Sequence, residues 1–361
     1  MNKLKKLIQE RYPNGVKITN LAKVLKIRNG RDYKSFSQGN IPVYGSGGII
    51  ARIDTAAYDK PSVLIPRKGS LDKLYYVDTP FWTVDTIFYT EIDTSIAIPK
   101  YVFYCLQKQH LERLNKAGGV PSLTQTELNR VRIPLPPLPV QSEIVRILDN
   151  FAELTAELTA ELTARKKQYE YYRNTLLTFD TQLVIHHKLG DIISIERGIR
   201  LVRNQLNQEG IYPVFQNSLT PLGYYEKSNC LANTTFIITA GAAGEIGYSR
   251  TDFWAADDCF YLKCPDNLNS RYVYYTLLCE QQYISSKVRR SSVPRLSRSV
   301  IENIDIPVPP IEEQERIVAI LDRFDALCND LTSGLPAEIA ARQKQYEYYR
   351  DKLLTFKEKV V

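Results

Sequence analysis

From Glu143 onward the apolar residues Ile144, Ile147, Leu148, Phe151, Leu154, Leu158, Leu162, Tyr169, Tyr172 and Leu176 recur mostly at steps of three and four, with no Gly or Pro before Phe179. This spacing predicts one amphipathic helix of about 35 residues, roughly 52 Å long. A second such pattern begins at Glu312, is interrupted at Gly334-Leu335-Pro336, and resumes to Phe356. Ahead of each lies a stretch with a different rhythm, about Val16 to Leu138 and Lys188 to Pro310. There, short β-rich runs such as SVLIP (from Ser62) and TTFIIT (from Thr234) are separated by Gly, Pro and Asn turns. Each reads as an α+β globular region. The clusters Pro134-Leu135-Pro136-Pro137 and Pro307-Val308-Pro309-Pro310 can enter neither a helix interior nor a strand ladder, and they close the two regions.

The plan is written twice. IPLPPLPVQSEIVRILDNF from Ile133 and IPVPPIEEQERIVAILDRF from Ile306 agree at 11 of 19 positions, and RKKQYEYYRNTLLTF from Arg165 and RQKQYEYYRDKLLTF from Arg342 at 12 of 15. Chance gives about one match in either pair, so the halves are copies of one module. Fainter echoes lie upstream: FWTVDTIFY from Phe81 against FWAADDCFY from Phe253, KYVFY from Lys100 against RYVYY from Arg271, and IPVYG from Ile41 against YPVFQ from Tyr212. The expected organisation is a helical lead-in (1–15), a first domain (16–140), a central helix (141–180), a second domain (181–311) and a C-terminal helix (312–361). A long helix with an apolar stripe is unstable alone in water, and its copy is the obvious cover, packed antiparallel. Within the central helix AELT is written three times from Ala152, a unit of a little more than one turn, which suits a spacer of adjustable length.

Composition narrows the class. The chain has 361 residues, 44% of them hydrophobic, and a net charge of +7, which suits a polyanionic partner without requiring one. No apolar run is long enough for a signal peptide or a membrane span, so a cytoplasmic protein with no membrane partner is expected. The six cysteines form no CxxC pair and the three histidines do not stand at ligand spacing with them, so buried free thiols and no metal site are expected.

Catalytic signatures are missing: the Gly-rich runs from Gly45 and Gly241 are wrongly spaced for a dinucleotide fingerprint, and no Walker A, HExxH or GxSxG motif occurs. Nor is there an Asn-Pro-Pro-Tyr or Asp-Pro-Pro-Tyr run or a nuclease carboxylate cluster, so no catalytic residue is assigned. Nucleic-acid chemistry is better represented. SKVRRSSVPRLSRS from Ser286 carries Lys287, Arg289, Arg290, Arg295 and Arg298 among serines and no acid. A solvated basic loop is the plain alternative. Its counterpart, GGVPSLTQTE from Gly118, keeps Val-Pro-x-Leu but offers Ser122, Thr124 and Gln125 in place of the arginines. A kept frame with changed chemistry suits two readers of different sequences, since Arg favours guanine while Asn and Gln favour adenine. Ser46, Arg67, Lys68, Gln216, Asn217 and Ser218 are further candidates on polar loops. Trp82 and Trp254 read as core residues more than as base-stacking platforms, and Asp85 and Asp257 as acceptors for turn amides, with lining a groove as the alternative.

Two domains, each ending in I-P-x-P-P followed by Gln, I-V-x-I-L-D and then Q-Y-E-Y-Y-R, resemble the specificity subunit of a type I restriction-modification enzyme over essentially the whole chain. The resemblance implies that each domain recognises half of a bipartite, asymmetric double-stranded DNA site, and that antiparallel helices set the distance between halves. It also implies two copies of a methyltransferase subunit carrying S-adenosylmethionine and methylating adenine, and two restriction subunits using ATP and Mg2+ for translocation and cleavage. This chain would hold no cofactor itself. The identical hexapeptides at Gln168 and Gln345 carry more aromatic side chains than one helical seam buries. Tyr169, Tyr171, Tyr172 and Arg173, with Tyr346, Tyr348, Tyr349 and Arg350, are therefore expected to dock two copies of one partner, the plain alternative being that all the tyrosines fill the core of the helical rod. An interaction scaffold and an orphan recognition module from a single-chain enzyme remain as rivals.

Overall fold

The computed structural model describes residues 15–116, 118–180, 182, 184–206 and 209–359, and these divide into two units. One takes in the chain up to Leu158 together with Ile339 onward, and the other is Thr159–Glu338. The expected helical lead-in lies outside the described residues except for Gly15.

In the first unit, strands β1 (Ile18–Asn20), β2 (Leu25–Asn29), β3 (Gln38–Gly45), β4 (Gly48–Ile53), β5 (Ser62–Pro66), β6 (Tyr75–Val77), β7 (Trp82–Thr83) and β8 (Ile87–Ile92) come first. Helices α1 (Pro99–Lys108) and α2 (Gln125–Arg130), strand β9 (Arg132–Pro134) and the 40-residue helix α3 (Leu138–Leu177) follow, α3 belonging to the first unit up to Leu158 and to the second from Thr159. The strands form a four-stranded sheet in the order β2-β8-β5-β6, a three-stranded sheet β4-β3-β7, and the pair β1-β9. SVLIP occupies the inside of the larger sheet and is buried at every position, which is why it reads as a continuous apolar run and not as an alternation.

The second unit repeats this plan strand for strand. β10 (His186–Lys188), α4 (Leu189–Ile192), β11 (Ser194–Arg197), β12 (Tyr212–Phe215), β13 (Gly223–Tyr225), β14 (Thr234–Ile238), β15 (Ile246–Ser249), β16 (Trp254–Ala255) and β17 (Cys259–Lys263) lead to α5 (Ser270–Cys279), α6 (Gln281–Ser286), α7 (Arg298–Glu302), β18 (Asp305–Pro307) and α8 (Ile311–Asn329), and the chain ends in α9 (Leu335–Leu353), whose residues from Ile339 onward belong to the first unit. The sheet orders are β11-β17-β14-β15, β13-β12-β16 and β10-β18. Even the unusual parallel pairing recurs: Val43 lies opposite Trp82, and Val214 opposite Trp254. The fold is thus α+β, with two similar domains and long helices.

A buried glutamine explains why Gln follows each proline cluster. Gln141 Oε1 accepts the Ile98 amide at 2.8 Å, and its Nε2 donates to the Ile96 and Pro136 carbonyls. Gln314 repeats the arrangement with the Asn269 amide and the Asn267 and Pro309 carbonyls. Both side chains are fully buried, so each clamps the start of a long helix to the loop that begins α1 or α5.

Helix α3 begins at Leu138, five residues before the expected Glu143. Pro139 falls in its first turn, where a missing N–H costs nothing. The second long helix breaks earlier than expected: α8 stops at Asn329, and the turn from Asp330 intervenes before Gly334. The Asp330 carboxylate accepts the Thr332 amide at 2.7 Å and the Thr332 and Ser333 hydroxyls, which holds its pKa well below the usual carboxylate range. Pro336 then lies in the first turn of α9 and breaks nothing, while α9 ends at Leu353, short of Phe356. In the second unit α3 and α8 run antiparallel, with Tyr169 and Tyr172 stacked on Phe324 and Cys328 beside Lys166 and Arg165. In the first unit Phe151 of α3 stacks on Tyr349 of α9.

Candidate nucleic-acid interface

Three polar segments scattered along each half converge in the folded domain. In the first, Thr86 is the hub: its hydroxyl accepts the Ser46 amide at 3.3 Å, and its carbonyl accepts the Arg67 and Lys68 amides at 2.9 and 3.2 Å. The Arg67 carbonyl accepts the Leu123 amide, and Gly69 N–H donates to the Pro121 carbonyl. These bonds bring Ser46, Arg67, Lys68 and Ser122 onto one surface.

The second domain uses the same backbone bonds with different side chains. Thr239 N–H donates to the Asp258 carbonyl, Leu296 N–H to the Thr239 carbonyl, and Gly241 N–H to the Pro294 carbonyl. Gly69 and Gly241 share a positive φ, +84° and +82°, which only glycine adopts without strain. Thr239 and Ala240 thus stand where Arg67 and Lys68 stand in the first domain. The basic residues sit on the other loop instead, where the Arg289 and Arg295 backbones close a two-bond bridge and Arg290 follows it, exposed. Asn217 belongs to the same cluster, since its carbonyl accepts the Ala242 amide, and Gln216 accepts the Cys259 thiol through its own carbonyl.

Individual expectations change. The Thr124 hydroxyl accepts the Glu127 amide and donates to the Glu127 carboxylate, so it caps α2 and is not available to a phosphate. Ser218 donates to the Thr220 carbonyl at 2.9 Å and so holds its own loop. Arg298 is ion-paired with Glu302 at 2.7 Å, and Lys287 lies over the Tyr283 ring. Asp85 and Asp257 take no turn amide among the described residues. Asp85 is exposed, 3.8 Å from the Lys68 ammonium, while Asp257 keeps a buried carboxylate oxygen without a hydrogen-bond partner. Trp82 is buried and Trp254 half-buried, each donating its indole N–H to a loop carbonyl, of Arg31 and Ile199 respectively.

Two further candidate residues escaped the sequence reading, Asn29 and Arg197. Each ends an edge strand and precedes a glycine whose added Cβ would sit 2.0 Å (Gly30) or 2.1 Å (Gly198) from a backbone carbonyl oxygen. Only glycine fits there, so Asn29 and Arg197 are held at matching places. The signal was the echo of IRNG from Ile27 in IERG from Ile195, a match too short to notice unaided.

The hexapeptides on the helices divide by side. Tyr169 is buried, Tyr346 half-buried with its hydroxyl donating to Gln107 Oε1, and Tyr349 is stacked on Phe151. The Arg350 side chain is only 12% exposed and pairs with Asp351, while Arg173 lies over the Tyr169 ring. These side chains serve their own units. Tyr171 and Tyr348 point outward, 66% and 57% exposed, and Tyr172 is partly free beside Phe324.

Among the described residues no group of His, Cys, Asp and Glu could hold a metal, and no helix is long and apolar enough to cross a membrane.

The chain is similar to known proteins along most of its length. A Haemophilus influenzae protein named as a type I restriction enzyme specificity subunit is 30% identical over 356 residues, 88% of this chain and 89% of that protein. The EcoR124I/EcoR124II specificity subunit of Escherichia coli is 35% identical over 301 residues, 74% of this chain and 73% of that one. Among solved structures, the type I restriction-modification S subunit from M. genitalium shares the fold with a TM-score of 0.71 at 18% identity, covering 94% of this chain and 96% of that one. The family model for the type I restriction modification DNA specificity domain matches twice, over residues 13–165 and 186–341, so this chain belongs to the type I restriction-modification specificity subunits.

Proposed function

We propose that the two domains read the two halves of a bipartite, asymmetric double-stranded DNA site, with α3 and its partner helices setting the unread spacer. The helices dock two methyltransferase subunits, which carry the S-adenosylmethionine, and restriction subunits using ATP and Mg2+ join that assembly. The observation that carries this reading is the matched backbone frame at each interface, retained between domains while its exposed side chains differ. A protein-binding scaffold has no need to keep one frame and vary its polar tips, whereas two base readers do.

The test uses the chain assembled with its methyltransferase. Duplex affinity should fall steeply and log-linearly with salt, and methylation mapping should return a two-part motif. Exchanging residues 16–138 for the first domain of another family member should change one half of that motif only. Affinity indifferent to salt would favour the scaffold, and a change in both halves would refute modular reading.

A further inference from the structure

The paired domains act as an internal control: exposed polar residues that occupy one place in the fold but differ between copies are those able to distinguish bases. One such place joins the end of an edge strand to the start of a short helix. In the first domain it holds Asn29 and Gln125, whose side chains meet, Gln125 Nε2 donating to Asn29 Oδ1 at 3.2 Å. In the second domain the equivalent residues are Arg197 and Arg298. The equivalence is fixed by strand register, Asn29 opposite Phe88 and Arg197 opposite Phe260, and by the shared Val-Pro-x-Leu loop ahead of Gln125 and Arg298.

Resting on the DNA-reading function proposed above, we infer that Asn29 and Gln125 together form an adenine reader in one half-site, and that Arg298 is a guanine reader in the other. Their mutual hydrogen bond locks the two amides side by side. It uses one donor of Gln125 and the oxygen of Asn29, and leaves Asn29 Nδ2 and Gln125 Oε1 without a partner among the described residues. One donor beside one acceptor complements the N7 acceptor and N6 amino group of adenine in the major groove. Guanine offers two acceptors, N7 and O6, and would set O6 against the Gln125 oxygen.

The second domain inverts this chemistry. Arg298 donates through Nε to Glu302 Oε1 at 2.7 Å, so the carboxylate holds the guanidinium from behind. Its two terminal nitrogens remain, and two parallel donors fit guanine O6 and N7. Arg197 is likewise held by its Nε, at 2.9 Å from the Asp257 carbonyl, and adds positive charge beside the same site. The first domain carries Asn129 where Glu302 stands, so the carboxylate support exists only where the arginine does.

The experiment is a methylation map of the assembled complex bearing Asn29→Ala, Gln125→Ala, Arg298→Ala or Glu302→Gln. The first two should relax the same A·T pair, lowering discrimination there by roughly 5- to 150-fold, and the double variant should add little. Arg298→Ala should relax a G·C pair in the other half, and Glu302→Gln should relax it partially. Grafting the supported arginine, Gln125→Arg with Asn129→Glu, should turn the preference at the first position from adenine towards guanine. Recovery of each variant with its methyltransferase and an unchanged melting temperature verify folding. Relaxation of different positions by Asn29→Ala and Gln125→Ala overturns the paired reader. So does uniform loss of methylation with unchanged base preference, which marks a phosphate contact. If the unaltered complex yields no two-part motif, it is the underlying DNA-reading function that fails, a separate outcome.

Discussion

Replacing Gln314 by Leu keeps the volume of a fully buried side chain and removes its three hydrogen bonds. Each such bond contributes about 1 kcal/mol net, and stranding a buried partner costs about 1–3 kcal/mol. The Asn269 amide is the partner whose loss spreads furthest, because Asn269 is also the N-cap of α5, its side chain accepting the Arg271 and Tyr272 amides. With partial relaxation of the loop, the local loss is about 2–4 kcal/mol. Amides at the start of α5 that exchange through local opening should then exchange roughly 30- to 800-fold faster. Hydrogen exchange on the whole chain, read by peptide, checks this with an internal control. Gln314→Leu should deprotect 265–275 and leave 94–104 unchanged, and Gln141→Leu should do the reverse. Unchanged protection in both variants, or loss in both segments from either one, would refute the clamp.

Deleting Ala156–Thr159 keeps helical phase within about 40° and removes about 6 Å of helix, so the unread spacer should shorten by one or two base pairs with both half-sites intact. A methylation map reads this directly, and an unchanged spacer at full activity would mean that the helix does not set the distance. Tyr171→Ala combined with Tyr348→Ala should weaken methyltransferase capture by at least about 10-fold without lowering the melting temperature, because both rings are outward and exposed. Normal capture would place the docking surface elsewhere. Burial pushes the Cys105 and Cys230 thiols up to about 12 and Cys264 up to about 11. Their thiolate fraction near pH 8 is then on the order of 10⁻³ or less, so alkylation should be on the order of 100-fold slower in the native chain than in urea. Rapid native labelling of Cys105 would contradict its burial.

The duplicated signatures, the period of the long helix, the α+β domains and the absence of known catalytic motifs were legible in the sequence, because each is a property of neighbours along the chain. Hydrophobic period and proline placement are local physics, and repetition made them unmistakable. The site was legible only as a set of loops. What gathered them was long-range hydrogen bonding: the Thr86 hub ties residue 46 to 67 and 68, and Arg67 ties that hub to 123, over separations no local pattern encodes. The tertiary structure also decided which member of an identical QYEYYR faces inward, since that depends on where Phe151 and Phe324 lie across the helical contact. Thr124 belongs with the local features: a threonine before a helix with Glu three residues on is a capping box written in the sequence itself, and its hydroxyl caps α2. The tertiary structure brought Asn29 against Gln125, 96 positions away, a pairing that exists only once the edge strand and the short helix have packed side by side.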